Sequence, residues 1–237
     1  MINLMRADFY RLRHSRALLI WEILIGGVTA AKTIDWGLKR NLTGWLAVRL
    51  VNNSASLFIW LLPLVMMVVG HDFSQGLLKD TLTIGISRRR YFLSKMATMG
   101  LITLLQLLMV QLIAFLGGVI FGGAGLVQWA DWLAQLLVYV VIAFTEVTTI
   151  TLVLYWSGST TAALAVGFLA LLAIAILHVQ FGHISLFAYT DWMLAINRLT
   201  TVHSNTLGAM TKPVIGATAL VIGGGIVNGL RFEKMSL

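Results

Sequence analysis

From Met96 to Phe121 the chain runs for 26 residues without one Asp, Glu, Lys or Arg. A helix rises about 1.5 Å per residue, so this stretch outspans the roughly 30 Å hydrocarbon core of a bilayer. A helix apolar on every side must be buried, in a large core or in lipid. Five further apolar stretches follow the same pattern: Ala17–Ile34, Ala55–Gly70, Trp132–Trp156, Thr161–Gln180 and Pro213–Leu230. Charged residues are 11% of the chain, against about a quarter in a soluble domain, too few to cover a water-facing surface. The sequence therefore predicts an all-α integral membrane protein with six transmembrane helices, forming a single transmembrane domain over residues 1–237. Tryptophans at both ends of the fourth span serve as interface anchors. Pro213 is expected in the first turn of the sixth, where its missing N–H is harmless.

Residues 1–16 predict an N-terminal amphipathic interfacial helix. Ile2, Met5, Phe9 and Leu12 repeat at helical spacing, and Asn3, Arg6, Arg13 and His14 fall mainly on the other side. Four arginines in this segment argue against a cleavable leader. With the N-terminus inside, 11 cations lie on the cytoplasmic side and 6 outside. This bias places both termini in the cytoplasm. The net charge of +8 is read as topological, with no nucleic-acid partner, because the basic residues gather at span ends. There are no cysteines, which excludes thiol catalysis, disulfides and Cys-based metal sites.

Two connections stand out. Phe181–Lys212 is too apolar for a solvated loop, yet Asp191, Asn197 and Arg198 oppose a full span. It is expected to be a re-entrant segment before the sixth span, or an interfacial helix. The other is His71–Lys95. Leu77, Leu78, Leu82 and Ile84 can give a short helix one apolar face, Gly85 a stop and Ser87 a cap for the next helix. A short amphipathic helix of this kind suits the groove of a partner protein.

This loop resembles that of type-two ABC transporter permeases. In that family an acidic residue after the second span precedes a Gly-Thr-Leu-like turn, a Gly-Ile-Ser-Arg element and a lysine opening the third span. Asp72, Gly76, Gly85-Ile86-Ser87-Arg88 and Lys95 stand at those places; Leu77 departs from the usual Thr, and Asp72 from the commoner Glu. The resemblance covers about residues 70–96 by motif and the rest by arrangement. It implies a membrane subunit of an ABC exporter, similar to bacteriocin- or lantibiotic-immunity and antibiotic-efflux permeases, in the bacterial cell membrane. Residues 71–95 would be the cytoplasmic coupling loop, with Asp72, Gly76, Leu77, Leu78, Leu82, Gly85, Ser87 and Arg88 docking a separate ATPase. The implied partners are that ATPase, which binds ATP and Mg, and a second permease in a homodimer or heterodimer. No enzymatic activity or cofactor is expected here: neither Gly122–Gly125 nor Gly223–Gly225 is followed by the Lys-Ser or Lys-Thr of a P-loop.

Ionisable groups inside spans are functional candidates. Glu146 lies about 21 Å along the fourth helix from Trp132. Thr145, Thr148, Thr149 and Thr151 surround it, and Gln106 and Gln111 are expected partners in a transport path, a permease interface or a packing contact. Glu22 is expected to reach back to the basic interface, and His178 and Gln180 to lie near the outer end of the fifth span. Gly26/Ala30, Gly118/Gly122 and Gly225/Gly229 have the spacing that permits close helix approach. A serine protease built on Ser159 and His178 fails on distance, since one span separates the two. An ion-coupled secondary transporter, or a polytopic protein with no ATPase partner, remains the alternative.

Overall fold

The computed structural model describes residues 2–39, 41–52, 57–74, 83, 85–126, 129–166, 169 and 206–234. Among them the regular elements are all helical: α1 (Ile2–Arg13), α2 (Arg16–Lys39), α3 (Gly44–Asn52), α4 (Leu57–Val65), a π-helical turn (Met66–Gly70), α5 (His71–Ser74), α6 (Arg88–Gly122), α7 (Trp129–Ser157) and α8 (Thr206–Lys234). Residues 160–166 are helical too. Four segments among the described residues are long and apolar enough to cross a bilayer: Arg16–Lys39, Arg88–Gly122, Trp132–Ser157 and Val214–Lys234. They correspond to the first, third, fourth and sixth expected spans. Leu61–Phe73 is a shorter apolar helix at the second. Most of the fifth span, the 181–205 part of the expected re-entrant segment, and Gly76, Leu77, Leu78 and Leu82 lie outside the described residues.

One boundary differs from expectation. Pro213 sits inside α8 and not in its first turn, because the helix already begins at Thr206. Thr206–Met210 carry no charge that would hold them in water, so the helix continues upstream. Its cost is the backbone bond that Pro213 cannot donate.

Helix ends follow from local chemistry. Ser15 Oγ accepts from Leu18 N–H at 3.4 Å, and Thr43 Oγ1 accepts from Leu46 N–H at 3.4 Å. Both are N-cap bonds. Gly123 and Gly158 adopt φ of 76° and 62° where α6 and α7 stop, a conformation that favours glycine.

α6 is the central post. α1, α2, α3, α7 and α8 all pack on it, and α8 also lies along α7. One apolar core gathers Leu61, Leu64, Val68, Met99, Ile142, Ile150 and Leu154; a second gathers Ile25, Leu42, Ala47, Val51, Val110 and Ala114. Outward-facing Ile20, Ile23, Leu105, Leu112, Leu116, Leu137, Ile222 and Ile226 remain exposed in the isolated chain. Lipid is the solvent that suits such a surface.

Of the three small-residue pairs, Gly118/Gly122 receives a backbone. A Cβ at Gly118 would lie 2.6 Å from the Thr43 carbonyl oxygen, and one at Gly122 2.7 Å from that of Leu42. The chain before α3 thus presses onto α6. A Cβ at Gly225 would meet open space, and one at Gly229 only the Phe92 ring at 3.9 Å.

Candidate functional site

Three elements bring charge to one buried point. α1 contributes Asp8 and Arg11, three apart and therefore neighbours on a helix face. α5 contributes Asp72, immediately beyond the π-helical turn. α6 contributes Tyr91 and Lys95. Lys95 Nζ lies 2.6 Å from Asp8 Oδ1 and 2.6 Å from Asp72 Oδ2. Arg11 reaches the other Asp72 oxygen at 2.5 Å and the Val68 carbonyl, inside the π turn, at 3.2 Å. Tyr91 donates its hydroxyl to Asp72 Oδ2 at 2.5 Å. Two carboxylates and two cations balance. Asp72 and Lys95 are each 4% exposed, so the desolvation of each is offset by its partners and not by water.

Burial alone would raise the Asp72 carboxyl. Lys95, through charge and a hydrogen bond, with Tyr91 and Arg11, outweighs it and holds the group below its ordinary 3.8. Asp72 follows the second expected span, and Lys95 precedes the uncharged stretch of α6. The network therefore stands at one end of the bundle, at both roots of the 71–95 loop.

Apolar packing surrounds this knot. Tyr91 stacks on Phe232 at 5.6 Å, and Tyr155 lies 5.1 Å from Phe232, 5.6 Å from Phe73 and 5.9 Å from Phe92. Arg88 donates to the Glu233 carbonyl at 2.9 Å and to that of Phe232 at 3.4 Å. These are end carbonyls of α8, which lack intrahelical partners and carry the negative pole of the helix dipole. Ser87 Oγ accepts from Arg90 N–H at 3.4 Å, and Gly85 turns with φ of 92°. The cap expected at Ser87 is present. Asp72 and Arg88, placed by sequence on the docking loop, direct their side chains to the helices at its root.

The polar groups inside the spans pair differently from expectation. Gln106 donates to Glu22 Oε1 at 2.9 Å, so Glu22 faces the bundle and does not return to the basic interface. Gln111 Oε1 accepts from the Trp132 indole N–H at 3.0 Å. Glu146 is the partner in neither of these bonds; it is 3% exposed and has no hydrogen-bond partner on Oε2 among the described residues. Thr149, Thr145, Thr148 and Thr151 donate to carbonyls one turn back in α7. A hydroxyl in low dielectric finds that acceptor at hand. Asn228 of α8 donates to the Thr148 carbonyl and Thr151 Oγ1, each at 3.1 Å. His178 and Gln180 lie outside the described residues.

Asp8, Arg11, Tyr91 and Asn228 are not separable from their neighbours by sequence. Asp8 carried the one available signal: it is the single acid among the cations of α1. A group of three or more His, Cys, Asp or Glu fit to hold a metal is absent among the described residues.

Residues 4–178 match the family model described as ABC-2 family transporter protein. The chain belongs to the ABC-2 transporter family. Membership implies a membrane permease subunit of an ABC transporter, with an ABC ATPase as its partner. With the four apolar spans among the described residues, this makes it a multi-pass membrane protein. No curated protein matches the chain.

Proposed function

We propose that this ABC-2 family chain is the permease subunit of an exporter, taking its power through residues 71–95. The observation that carries this reading is the electroneutral knot of Asp8, Arg11, Asp72 and Lys95. Asp72 and Lys95 stand at the two ends of the loop, 2.6 Å apart, and both are tied to α1. A loop whose roots are bolted together moves as a unit. Force applied at its tip then reaches α1, the π turn and α6 together.

In this reading the chain is one permease domain and carries no catalytic site. ATP and Mg bind to a separate ATPase, which docks on the loop through Gly76, Leu77, Leu78, Leu82 and the Gly85–Arg88 element. α1 lies in the cytoplasmic headgroup layer, and six spans and an outer re-entrant segment complete the fold. Two permeases, identical or homologous, assemble in a bacterial cell membrane with their termini in the cytoplasm. Glu146 lies on the transport path or the permease interface. The substrate is amphipathic, such as an antimicrobial peptide or drug, because the outer segment before the sixth span is apolar.

The test is purification of the tagged chain from its native cells. A soluble P-loop ATPase should co-purify, and altering Gly76–Arg88 should release it. A chain that transports alone, under an ion gradient, would overturn the reading. A susceptibility panel of deletion and complemented strains then identifies the substrate.

A further inference from the structure

The sequence gives α1 an apolar stripe of Ile2, Met5, Phe9 and Leu12, but the fold turns much of it inward. Leu12 is buried in the first apolar core, and Phe9 packs against that core. Asp8, on the same side, is fixed to Lys95 at 2.6 Å. At about 100° per residue, Ile2, Arg6, Tyr10 and Arg13 form a second stripe on the opposite side of the helix. Ile2 is 67% and Tyr10 70% exposed, and both arginines are exposed. Neither arginine has an ion-pair partner among the described residues. Asp8, the one acid of α1, is already held by Lys95 and Arg11.

Two arginines on one face, two turns or about 10 Å apart, call for an extended anionic surface. Their position selects which one. Arg13 stands three residues before Arg16, the first residue of a helix long enough to cross the bilayer, and three residues reach at most about 10 Å. The stripe therefore lies beside the headgroup layer. Ile2 and Tyr10 suit that layer too, since an interfacial helix sinks apolar and aromatic groups among lipids while arginine meets phosphate. An acidic protein surface would answer the arginines but leave those two side chains without an apolar partner. A choline lipid offers a phosphate whose charge its own ammonium cancels. An anionic phospholipid has no such ammonium.

We propose that the outward stripe of α1 docks on anionic phospholipid headgroups, with Arg6 and Arg13 on their phosphates and Ile2 and Tyr10 between them. The inner side of the same helix holds Lys95 and Asp72 through Asp8 and Arg11, so lipid and the charged knot grip α1 from opposite sides. The docking rests on the reading that α1 lies in the cytoplasmic headgroup layer, and it names the lipid met there.

The test uses the full chain, with any subunits that accompany it, carrying Ala7→Cys as its sole thiol. Ala7 is exposed, and the chain has no cysteine of its own. A fluorophore on that thiol is read in nanodiscs of equimolar phosphatidylglycerol and phosphatidylcholine, with bromine on the upper acyl carbons of one lipid or the other. Quenching should report a preference of about tenfold for phosphatidylglycerol, since each arginine at an anionic surface gives a several-fold gain. Arg6→Gln combined with Arg13→Gln should bring that preference close to unity, and salt at about 0.5 M should weaken it. Lys234→Gln removes an exposed cation outside the stripe and should leave it unchanged. Equal quenching by the two lipids overturns the docking while leaving α1 at the bilayer surface. Quenching by neither overturns the placement of α1 as well. A preference that survives the double substitution, or one that Lys234→Gln lowers as much, also overturns the stripe as the site. If the doubly substituted chain fails to fold, the comparison of the two lipids on the otherwise unaltered chain, at low and high salt, decides alone.

Discussion

Lys95 holds two carboxylates that would otherwise repel each other in a dry place. Its removal as Lys95→Met leaves Asp8 and Asp72 facing one another, with Arg11 alone to neutralise them. A loss of about 3–5 kcal/mol is expected from breaking a buried pair on one side. Adding Asp72→Asn should recover part of that loss, so the two substitutions are less than additive. Thermal melts of the four proteins in detergent measure the coupling. Asp72 also makes a pH prediction. Its carboxyl is lower in the folded state than in the unfolded chain, so the unfolded state takes up the proton first on acidification. The stability it contributes is full above about 3.8 and is lost as pH falls through the depressed folded value. Melting temperature followed downward from pH 6 should decline more steeply in the unaltered chain than in Asp72→Asn. Parallel curves would remove Asp72 from the account.

At the scale of elements, α6 works because its glycines admit a neighbouring backbone. Gly118→Ala would drive a methyl into the Thr43 carbonyl at 2.6 Å and the Gly44 Cα at 2.7 Å. Backbone cannot rotate away as a side chain can, so α3 must shift, at about 1–3 kcal/mol for overpacking. Gly27→Ala offers the contrast. Nothing lies within 4 Å of its added Cβ, and a mid-helix Gly→Ala change favours the helix by about 0.8–1 kcal/mol. Melting temperatures should therefore move in opposite directions. The π turn at Met66–Gly70 belongs to the same scale: its Val68 carbonyl accepts from Arg11, which couples α1 to the end of α4. π turns of this kind occur often at functional sites.

For the whole molecule, α1 and the end of α8 both attach to the first turns of α6. Asp8 of α1 pairs with Lys95, and Arg88 caps α8 at Glu233, so α1 and the end of α8 lie on one face of the bundle. The Gly123–Gly125 turn terminates the other end of α6. The chain has no cysteine, which makes the topology directly testable with single substitutions at the exposed Asn3, Ala124 and Lys234. With the termini in the cytoplasm, an impermeant maleimide applied to intact cells should label Ala124→Cys alone. Asn3→Cys and Lys234→Cys should react together after permeabilisation. Labelling of one terminus without the other would contradict the Asp8–Lys95 and Arg88–Glu233 contacts.

The apolar runs by themselves determined that this chain is a membrane protein, because a bilayer-long helix without charge has one stable solvent. They also located the four spans seen among the described residues, and the 70–96 motif pointed to the family that residues 4–178 match. Local capping was equally legible at Ser87, since a helix start is decided within a few residues. Pairing was not. Gln106 and Gln111 pointed in sequence toward Glu146, yet they bond Glu22 and Trp132. Helix periodicity says which residues share a face, but not which other helix that face will meet. For the same reason Asp8 read as one acid in a basic segment. Only the packing of α1 against α6 and the π turn made it the counter-charge of Lys95, because a buried ion pair exists where low dielectric and close approach coincide.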